Sequence, residues 1–279
     1  MKIELAQVPG VEGDLDGNLG KALACIEQSR EDTDLIVFPE THLTGFAEQG
    51  AAASRAISPD DPLFHTLHQA AMRNDLAIAI GFLERAGDDR CFNASVLITP
   101  EDGILLHYRK THLWTDERAL VTPGDRLSCV EWRGRCIGLM VCYDLEFPET
   151  ARALAGLGTE LIVITNGNMD PYGPVHHNLA RARAIENQCF VAMTNRAGTG
   201  AGYTFAGGSA VFAPSGECLA HLQREEGSTQ VALDFSLNRT ARGTYDYLVD
   251  RRIPLSGQRD ANDQRIRHFH LTTSTSTND

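Results

Sequence analysis

The sequence predicts a layered α/β sandwich, and three features of the chain lead to this fold class. Patterns typical of strands and helices alternate along the chain, with hairpins between some of the strands. The 279 residues are 42% hydrophobic and 22% charged, which is ordinary for a globular protein with a sizeable core. No low-complexity linker interrupts the chain before residue 256, so we interpret 1–255 as one domain and 256–279 as a C-terminal arm.

The first half of the chain is predicted to begin with a strand and a helix and to continue in alternation. Leu19, Leu23 and Ile26 share one helical face. Pro39 ends a short buried strand, because proline has no N–H to donate to a neighbouring strand. The segment 100–103 (PEDG) has the composition of a hairpin turn. The predicted elements are, in order, a strand at 2–8, a helix at 17–30, a strand at 35–38, a helix at 62–74, a strand at 76–84 and a hairpin of 91–99 with 104–109.

The second half is predicted to continue the alternation. Its elements are, in order, a strand at 135–142, a helix at 148–157, a strand at 160–165, a helix at 175–188, a strand at 189–195, a hairpin within 207–222 and a strand at 229–235. The segments 33–37 (TDLIV) and 159–163 (TELIV) are similar, which suits two related halves. The polar arm at 256–279 is expected to be extended, with its last few residues disordered.

Charge, cysteine content and the distribution of apolar residues argue against several classes of protein. The net charge of −12 at pH 7 disfavours nucleic acid or an anionic membrane as the main partner. The seven cysteines include no C-x-x-C pair, which disfavours a zinc site or a disulfide framework and favours a reduced protein. No apolar run approaches the roughly 20 residues of a membrane span, and the first residues lack the apolar core of a signal peptide. We therefore expect a cytoplasmic protein with no nucleic-acid or membrane partner.

Three reactive side chains follow predicted strands, where α/β folds place their functional groups. Glu40 follows the strand at 35–38, Lys110 follows the strand at 104–109, and Cys142 ends the strand at 135–142. Taken singly, each residue also fits a structural role, as a solvated glutamate, a surface lysine and a buried small cysteine. A thiol at a strand-to-helix turn, however, is well placed to react, because helix N-terminal amides and a nearby cation favour the thiolate.

The remaining candidates for chemistry are weaker. The chain has no G-x-S-x-G, G-x-x-x-x-G-K-[ST] or H-E-x-x-H motif. The adjacent His176 and His177 point apart, so a shared metal is improbable, and no histidine lies in a context that marks it as catalytic. The other six cysteines are interpreted as structural, with Cys136 and Cys189 inside strands and Cys25 on a helix.

Three segments, 37–41 (VFPET), 108–113 (YRKTHL) and 141–149 (VCYDLEFPE), resemble the signature segments of the nitrilase superfamily of carbon–nitrogen hydrolases, in the family's order. The resemblance covers about 2–255. It implies a four-layer α–β–β–α sandwich and a Glu40–Lys110–Cys142 triad. Glu117 is the best match to a second glutamate found in many members, and Asp116 is the less favoured match. It also implies subunits paired through the helices near 148–158 and 175–188, an arm that crosses to the partner, and no metal or organic cofactor.

The resemblance also implies a reaction. Glu40 would take the proton of Cys142, the thiolate would attack an amide carbonyl, and Lys110 with the backbone N–H of Tyr143 would hold the oxyanion. Ammonia would leave, and water would release a carboxylic acid from the thioester. The Cys-Tyr-Asp sequence favours an amidase that acts on small carboxamides. Hydrolysis of N-carbamoyl amides or nitriles, acyl transfer through the same thioester, and a scaffold without turnover remain as alternatives.

The substrate pocket is expected at the loop 166–174, which follows a predicted strand. Asn166, Asn168, Met169 and Tyr143 are the candidate substrate-binding residues, although the two asparagines could equally cap the turn. Two further acidic residues near the cysteine, Asp144 and Glu149, are expected to fix the turn and to pair with arginines such as Arg152 or Arg183 rather than to do chemistry.

Overall fold

The computed structural model describes residues 1–87, 90–253 and 258–271, and its strands form two large sheets and one small pair. The strands are β1 (Lys2–Gln7), β2 (Leu35–Val37), β3 (Ala77–Arg85), β4 (Cys91–Thr99), β5 (Gly103–Arg109), β6 (Arg126–Trp132), β7 (Arg135–Val141), β8 (Leu161–Asn166), β9 (Phe190–Asn195), β10 (Thr199–Gly200), β11 (Tyr203–Thr204), β12 (Ala210–Phe212), β13 (Cys218–His221), β14 (Gly227–Ala232), β15 (Gln258–Arg259) and β16 (Ile266–His270). The helices are α1 (Leu15–Gln28), α2 (Ala52–Arg55), α3 (Pro62–Asn74), α4 (Pro148–Gly156), α5 (Gly173–Asn187), α6 (Ser236–Ala241) and α7 (Tyr247–Asp250), with 3₁₀ helices at Thr115–Ala119 and Cys142–Glu146.

The two large sheets are built on the same plan. The first has six strands in the order β14-β1-β2-β3-β4-β5, and the second has eight in the order β13-β12-β9-β8-β7-β6-β16-β15. Each contains three adjacent parallel strands, β1-β2-β3 and β7-β8-β9, flanked by antiparallel ones. The similar segments 33–37 and 159–163 lead into the middle strand of each triplet, so the short sequence echo corresponds to equivalent places in the two sheets.

The layers follow from which side chains each strand presents. Alternate residues of β2 face opposite sides: Leu35 and Val37 pack in the core shared with the second sheet, and Ile36 packs with the core under α1 and α3. Helices α4 and α5 cover the outer face of the second sheet, where Leu154 and Ala184 join the shared core. The structure is therefore a four-layer α–β–β–α sandwich, which confirms the predicted fold class.

Several details differ from the sequence prediction. Strand β6 was not predicted, and Cys189 lies in a bend before β9 rather than inside a strand, although it is fully buried. The described part of the C-terminal arm, 258–271, pairs through β16 with β6 of the same chain. The expected disorder at the end of the arm falls outside the described residues, and a crossing to a partner stays a prediction. Among the described residues, none of the helices is both long enough and apolar enough to cross a membrane.

Candidate active site

The carboxyl ends of β2, β5 and β7 meet between the two sheets, and the structure brings Glu40, Lys110 and Cys142 together there. All three side chains are buried and line one cavity of about 580 Å³. Glu40 and Lys110 come from the first sheet and Cys142 comes from the second. The site therefore exists only where the two sheets pack against each other.

Glu40 is held by its backbone and by one of its two carboxylate oxygens. Its N–H donates to the carbonyl of Asn166 in the second sheet (3.2 Å). The backbone of Glu40 and Thr41 passes directly over Gly81 of β3. A Cβ atom on Gly81 would lie only 2.4 Å from the backbone nitrogen of Thr41. Oε1 accepts from Lys110 Nζ (2.8 Å) and from Asn93 Nδ2 (2.7 Å), whereas the buried Oε2 has no hydrogen-bond partner within 1–87, 90–253 and 258–271. This oxygen is free to take a proton.

Lys110 bridges two carboxylates. Its Nζ donates to Glu40 at 2.8 Å and to Glu117 Oε2 at 2.7 Å. Glu117 also accepts from the backbone N–H of Trp114 (2.8 Å) and, through Oε1, from Asn93 Nδ2 (2.8 Å). Both oxygens of Glu117 are therefore occupied, which makes it a residue that positions Lys110 and Asn93.

Cys142 lies at a sharp turn from β7 into the 3₁₀ helix Cys142–Glu146. Its φ of 43° is left-handed, a conformation that non-glycine residues rarely adopt outside strained or functional sites. Asp144 holds this turn, because its Oδ2 accepts from Val141 N–H (3.2 Å) and from the Tyr108 hydroxyl (2.7 Å).

The partners of Asp144 correct the expected pairing with arginine. Its Oδ1 accepts from Thr111 and His112, the two residues that follow Lys110. Arg183 instead donates to the carbonyl oxygen of Leu145 (3.0 Å) and forms an ion pair with Glu186. Asp144 thus fixes the nucleophile turn to the segment that carries the lysine.

Burial and charge set the proton affinities of the three groups. Burial raises the pKa of Glu40, and the nearby Glu117 adds to this increase while Lys110 opposes it. Burial alone would lower the pKa of Lys110, but the carboxylates of Glu117 and Glu40 hold it well above its usual value. Burial and the charge of Glu40 raise the pKa of the Cys142 thiol. Lys110 and the backbone N–H of Gly167 oppose this increase without cancelling it. The free site therefore holds a neutral thiol beside a buried base and an ammonium group.

The cavity walls include most of the predicted substrate-binding residues. Tyr143, Asn168 and Met169 line it, together with the aromatic side chains of Trp114 and Tyr172. Asn166 does not line it, contrary to the prediction. Asn166 is fully buried, and its Oδ1 lies 3.1 Å from Nδ1 of His176, because its side chain points toward α5.

Sequence reasoning missed three residues at the site. Asn93 joins Glu40 to Glu117, and its only local signal is a polar residue inside the apolar strand β4. His176 and Glu146 both line the cavity, and His176 Nε2 lies 3.1 Å from Glu146 Oε1. These two residues are 30 positions apart, so no short motif could have linked them. Within 1–87, 90–253 and 258–271, no group of three or more His, Cys, Asp or Glu residues could hold a metal ion.

Comparison with known proteins places this geometry in a family. The carbon–nitrogen hydrolase model matches residues 2–242. An (R)-stereoselective amidase of a Pseudomonas species is 50% identical over 259 residues, which are 92% of this chain and 94% of the relative. The solved structure of an amidase from Nesterenkonia species AN1 has a TM-score of 0.80 and 29% identity, and the match covers 90% of this chain and 96% of that one.

Two further solved structures carry an adduct in their active sites. A glutamate-to-glutamine variant of the Nesterenkonia amidase, 28% identical, carries acrylamide added to its active-site cysteine; this match has a TM-score of 0.80 and covers 90% of this chain and 96% of that one. A superfamily protein of Xanthomonas campestris, with a TM-score of 0.85, 29% identity and coverage of 92% and 99%, holds an arsenic adduct in its active site. These matches confirm the resemblance seen in the sequence: the chain belongs to the carbon–nitrogen hydrolase family, in the amidase-like branch of the nitrilase superfamily.

Proposed function

We propose that this protein hydrolyses small carboxamides to carboxylic acids and ammonia through a thioester on Cys142. One observation carries the proposal. Glu40 lines the same cavity as the Cys142 thiol and the buried Lys110 ammonium group, and its buried Oε2 has no hydrogen-bond partner among the described residues. An unpaired buried acceptor is costly, and proton transfer at the cavity is a role for which it is suited.

The geometry supports a mechanism in two halves. Glu40 takes the proton of the Cys142 thiol as sulfur attacks the amide carbon, and the developing oxyanion is held by Lys110 and by the backbone N–H of Tyr143. That N–H lies in the first turn of a helix, where amides have no intrahelical partner. Glu40 then gives its proton to the leaving nitrogen, the C–N bond breaks, and ammonia departs.

Water completes the turnover. Glu40 accepts a proton from a water molecule as the water oxygen attacks the thioester carbon. The C–S bond breaks, and the proton returns to the Cys142 sulfur as the carboxylic acid leaves. Lys110 stays protonated throughout, because Glu40 and Glu117 hold its pKa well above its usual value. Glu117 acts through Lys110, while Tyr143, Asn168 and Met169 form the wall against which the acyl group packs.

Ammonia release from a panel of aliphatic amides, amino-acid amides, N-carbamoyl amides and nitriles tests the proposal. We expect release from amides, and its loss in Cys142→Ala. Release confined to N-carbamoyl compounds or nitriles would replace the proposed substrate class. Product formation only with an added acceptor would assign acyl transfer. A wild-type thiol that resists alkylation, together with no release, would favour a scaffold.

We further propose a cytoplasmic homodimer or larger homo-oligomer paired through α4 and α5. Val175 and Ile185 of α5 are exposed apolar residues, and Tyr245 and Tyr247 lie exposed near the end of that helix. The domain at 1–255 would supply the site, and the arm at 256–279 would contact the partner. A clean monomer in solution mass measurements at micromolar concentration would contradict this assembly.

A further inference from the structure

The charges around the cavity are unevenly compensated. Its lining contains five carboxylates but only one lysine and one histidine: Glu40, Glu48, Asp116, Glu117, Glu146, Lys110 and His176. Lys110 forms ion pairs with both Glu40 and Glu117, and Glu48 forms an ion pair with Arg55 at 2.8 Å. Among the described residues, the carboxylate of Glu146 contacts the imidazole of His176 and forms no ion pair with a lysine or arginine, while its backbone carbonyl accepts from Arg183. The carboxylate therefore offers a negative charge to a molecule in the cavity.

Glu146 is held in place by one oxygen, which leaves the other available. A carboxylate can only accept, so Nε2 of the buried His176 donates to Glu146 Oε1 over 3.1 Å. The other ring nitrogen, Nδ1, lies 3.1 Å from the side-chain amide of Asn166, so the ring has a polar neighbour on each side. Within the part of the chain that the structure describes, Oε2 of Glu146 has no hydrogen-bond partner. The imidazole therefore fixes the direction of the carboxylate and leaves an acceptor at the cavity.

A second, independent acceptor lies on the same cavity. Asn168 is 3% exposed, and its buried Oδ1 has no hydrogen-bond partner in the described ranges of the chain. Its backbone is fixed on both sides, because its N–H donates to Asn195 Oδ1 (2.7 Å) and its carbonyl accepts from Asn195 Nδ2 (3.1 Å). A rigid residue with an unused carboxamide is suited to bind a ligand N–H group.

We infer that Glu146, with Asn168, binds a positively charged amino group on the acyl part of the substrate, so that α-amino amides are preferred. This inference rests on the proposed amide hydrolysis. Cys142 and Glu146 lie at the two ends of the 3₁₀ helix Cys142–Glu146, and both line the same cavity. An α-amino amide whose carbonyl carbon is attacked by the sulfur would therefore carry its ammonium group in the cavity that Glu146 lines. An acyl group that carried a carboxylate would instead face Glu146 and be repelled.

The subsite also supplies a basis for selecting one enantiomer. The carbonyl oxygen is held at Lys110 and Tyr143, the leaving nitrogen faces Glu40, and the ammonium group is held at Glu146. Three fixed contacts leave one direction for the substrate side chain, so the two enantiomers of an α-amino amide direct it to different walls. Without the charge of Glu146, one of the three contacts weakens and discrimination should fall.

The test compares alaninamide with isobutyramide, in which a methyl group replaces the ammonium group. At pH 6.5 the amine is charged, since α-amino groups titrate at about 8. We expect the wild type to prefer alaninamide in kcat/KM. Glu146→Gln keeps an acceptor for His176, and should lower kcat/KM for alaninamide by roughly 10–100-fold. The same substitution should change kcat/KM for isobutyramide by less than about threefold. It should also reduce the ratio of kcat/KM between (R)- and (S)-alaninamide. Asp116→Asn removes another charge from the same cavity. It should change neither the alaninamide-to-isobutyramide ratio nor the (R)-to-(S) ratio of kcat/KM by more than about threefold.

The outcomes separate the two proposals. If wild-type protein hydrolyses both amides and Glu146→Gln keeps the same ratio between them, the ammonium subsite is wrong while amide hydrolysis stands. A wild-type preference for isobutyramide would also overturn it. If no amide is hydrolysed, the proposed function fails and the subsite fails with it. Alkylation of Cys142 by a neutral reagent at the wild-type rate would show that Glu146→Gln keeps the site assembled.

Discussion

Two clusters of polar side chains in this protein contain the residue types of a hydrolase, and they differ in whether a ligand can reach them. At β16, Ser128 Oγ lies 2.8 Å from Nδ1 of His268, whose Nε2 lies 3.1 Å from Asp260. These are the three residue types of a serine hydrolase, but Ser128 has no exposed surface, and none of the three lines the 580 Å³ cavity. The imidazole is also reversed, since a hydrolase histidine faces serine through Nε2.

The Glu40–Lys110–Cys142 cluster differs because it has an unpaired acceptor and borders open space. Glu40 Oε2 is buried without a partner, Cys142 lines the cavity in a left-handed conformation, and the walls leave room for a ligand. In the Ser128–His268–Asp260 cluster the contacts are made within the chain and join β16 to β6. Suitable residue types at suitable distances are therefore not enough to make a catalytic site. A reacting atom also needs an unused acceptor beside it and space in front of it.

Replacing each of the two nucleophile candidates should distinguish the clusters most strongly. Cys142→Ala should lower kcat by at least about 10⁴-fold, because the thioester cannot form. Ser128→Ala should leave kcat within about twofold, because its hydroxyl reaches no ligand. Ammonia release by both variants, with circular dichroism as a check on folding, decides this. Retained turnover in Cys142→Ala would reverse the comparison.

Glu40→Gln should be the next most damaging change. The amide keeps the shape but cannot take a proton, so kcat/KM should fall by roughly 10²–10⁴-fold. Glu117→Gln is the matched control in the same hydrogen-bond cluster, and it should cost less because Glu117 acts only through Lys110 and Asn93. Equal losses in the two variants would show that the unpaired Oε2 has no special role.

Asn93→Ala should give an intermediate loss. Its Nδ2 donates to both Glu40 and Glu117, so its removal loosens the base without removing any reacting atom. We expect kcat to fall roughly 10–100-fold with KM little changed, by analogy with the loss of outer hydrogen-bond partners at other sites. A change confined to KM would assign Asn93 to substrate binding instead.

The pH profile should also distinguish the clusters. Burial raises the pKa of Glu40 above 4.5, whereas hydrogen bonds from Asn262 and His268 lower the pKa of Asp260 below 3.8. Glu40 must be ionised to act, so kcat/KM should be lost as pH falls through a value above 4.5, before Asp260 protonates. A kcat/KM profile over pH 4–8 measures this. An acid limb at or below 4.5 would contradict the raised pKa.

The smallest expected effect concerns stability alone. Ser128→Ala leaves Nδ1 of His268 without its partner, which should lower the free energy of unfolding by about 1 kcal/mol. For a chain of this size that corresponds to a fall in Tm of roughly 2–4 °C. Calorimetry of the variant measures it. An unchanged Tm would mean that the contact between Ser128 and His268 does not hold β16 in place.

The parts that sequence could predict are those with a local signal. Alternating patterns gave the parallel strands and main helices, and three strand ends marked Glu40, Lys110 and Cys142. Strand β16 was missed because it pairs with β6 more than 130 positions away, and its sequence alternates only weakly. Asn93, Glu146 and His176 were missed for a related reason. Their importance lies in contacts between distant segments, which no spacing rule encodes.

The division of the active site between two sheets makes catalysis a property of the finished fold. Glu40 and Lys110 belong to the half of the chain that ends with β5, and Cys142 belongs to the half that begins with β6. In the proposed mechanism, a nascent or clipped chain that holds only one half therefore carries the base without the nucleophile, or the thiol without its base. Two such fragments, cut within 111–125 and mixed, would have to dock before either could act. Turnover would then report the assembly of the two halves directly.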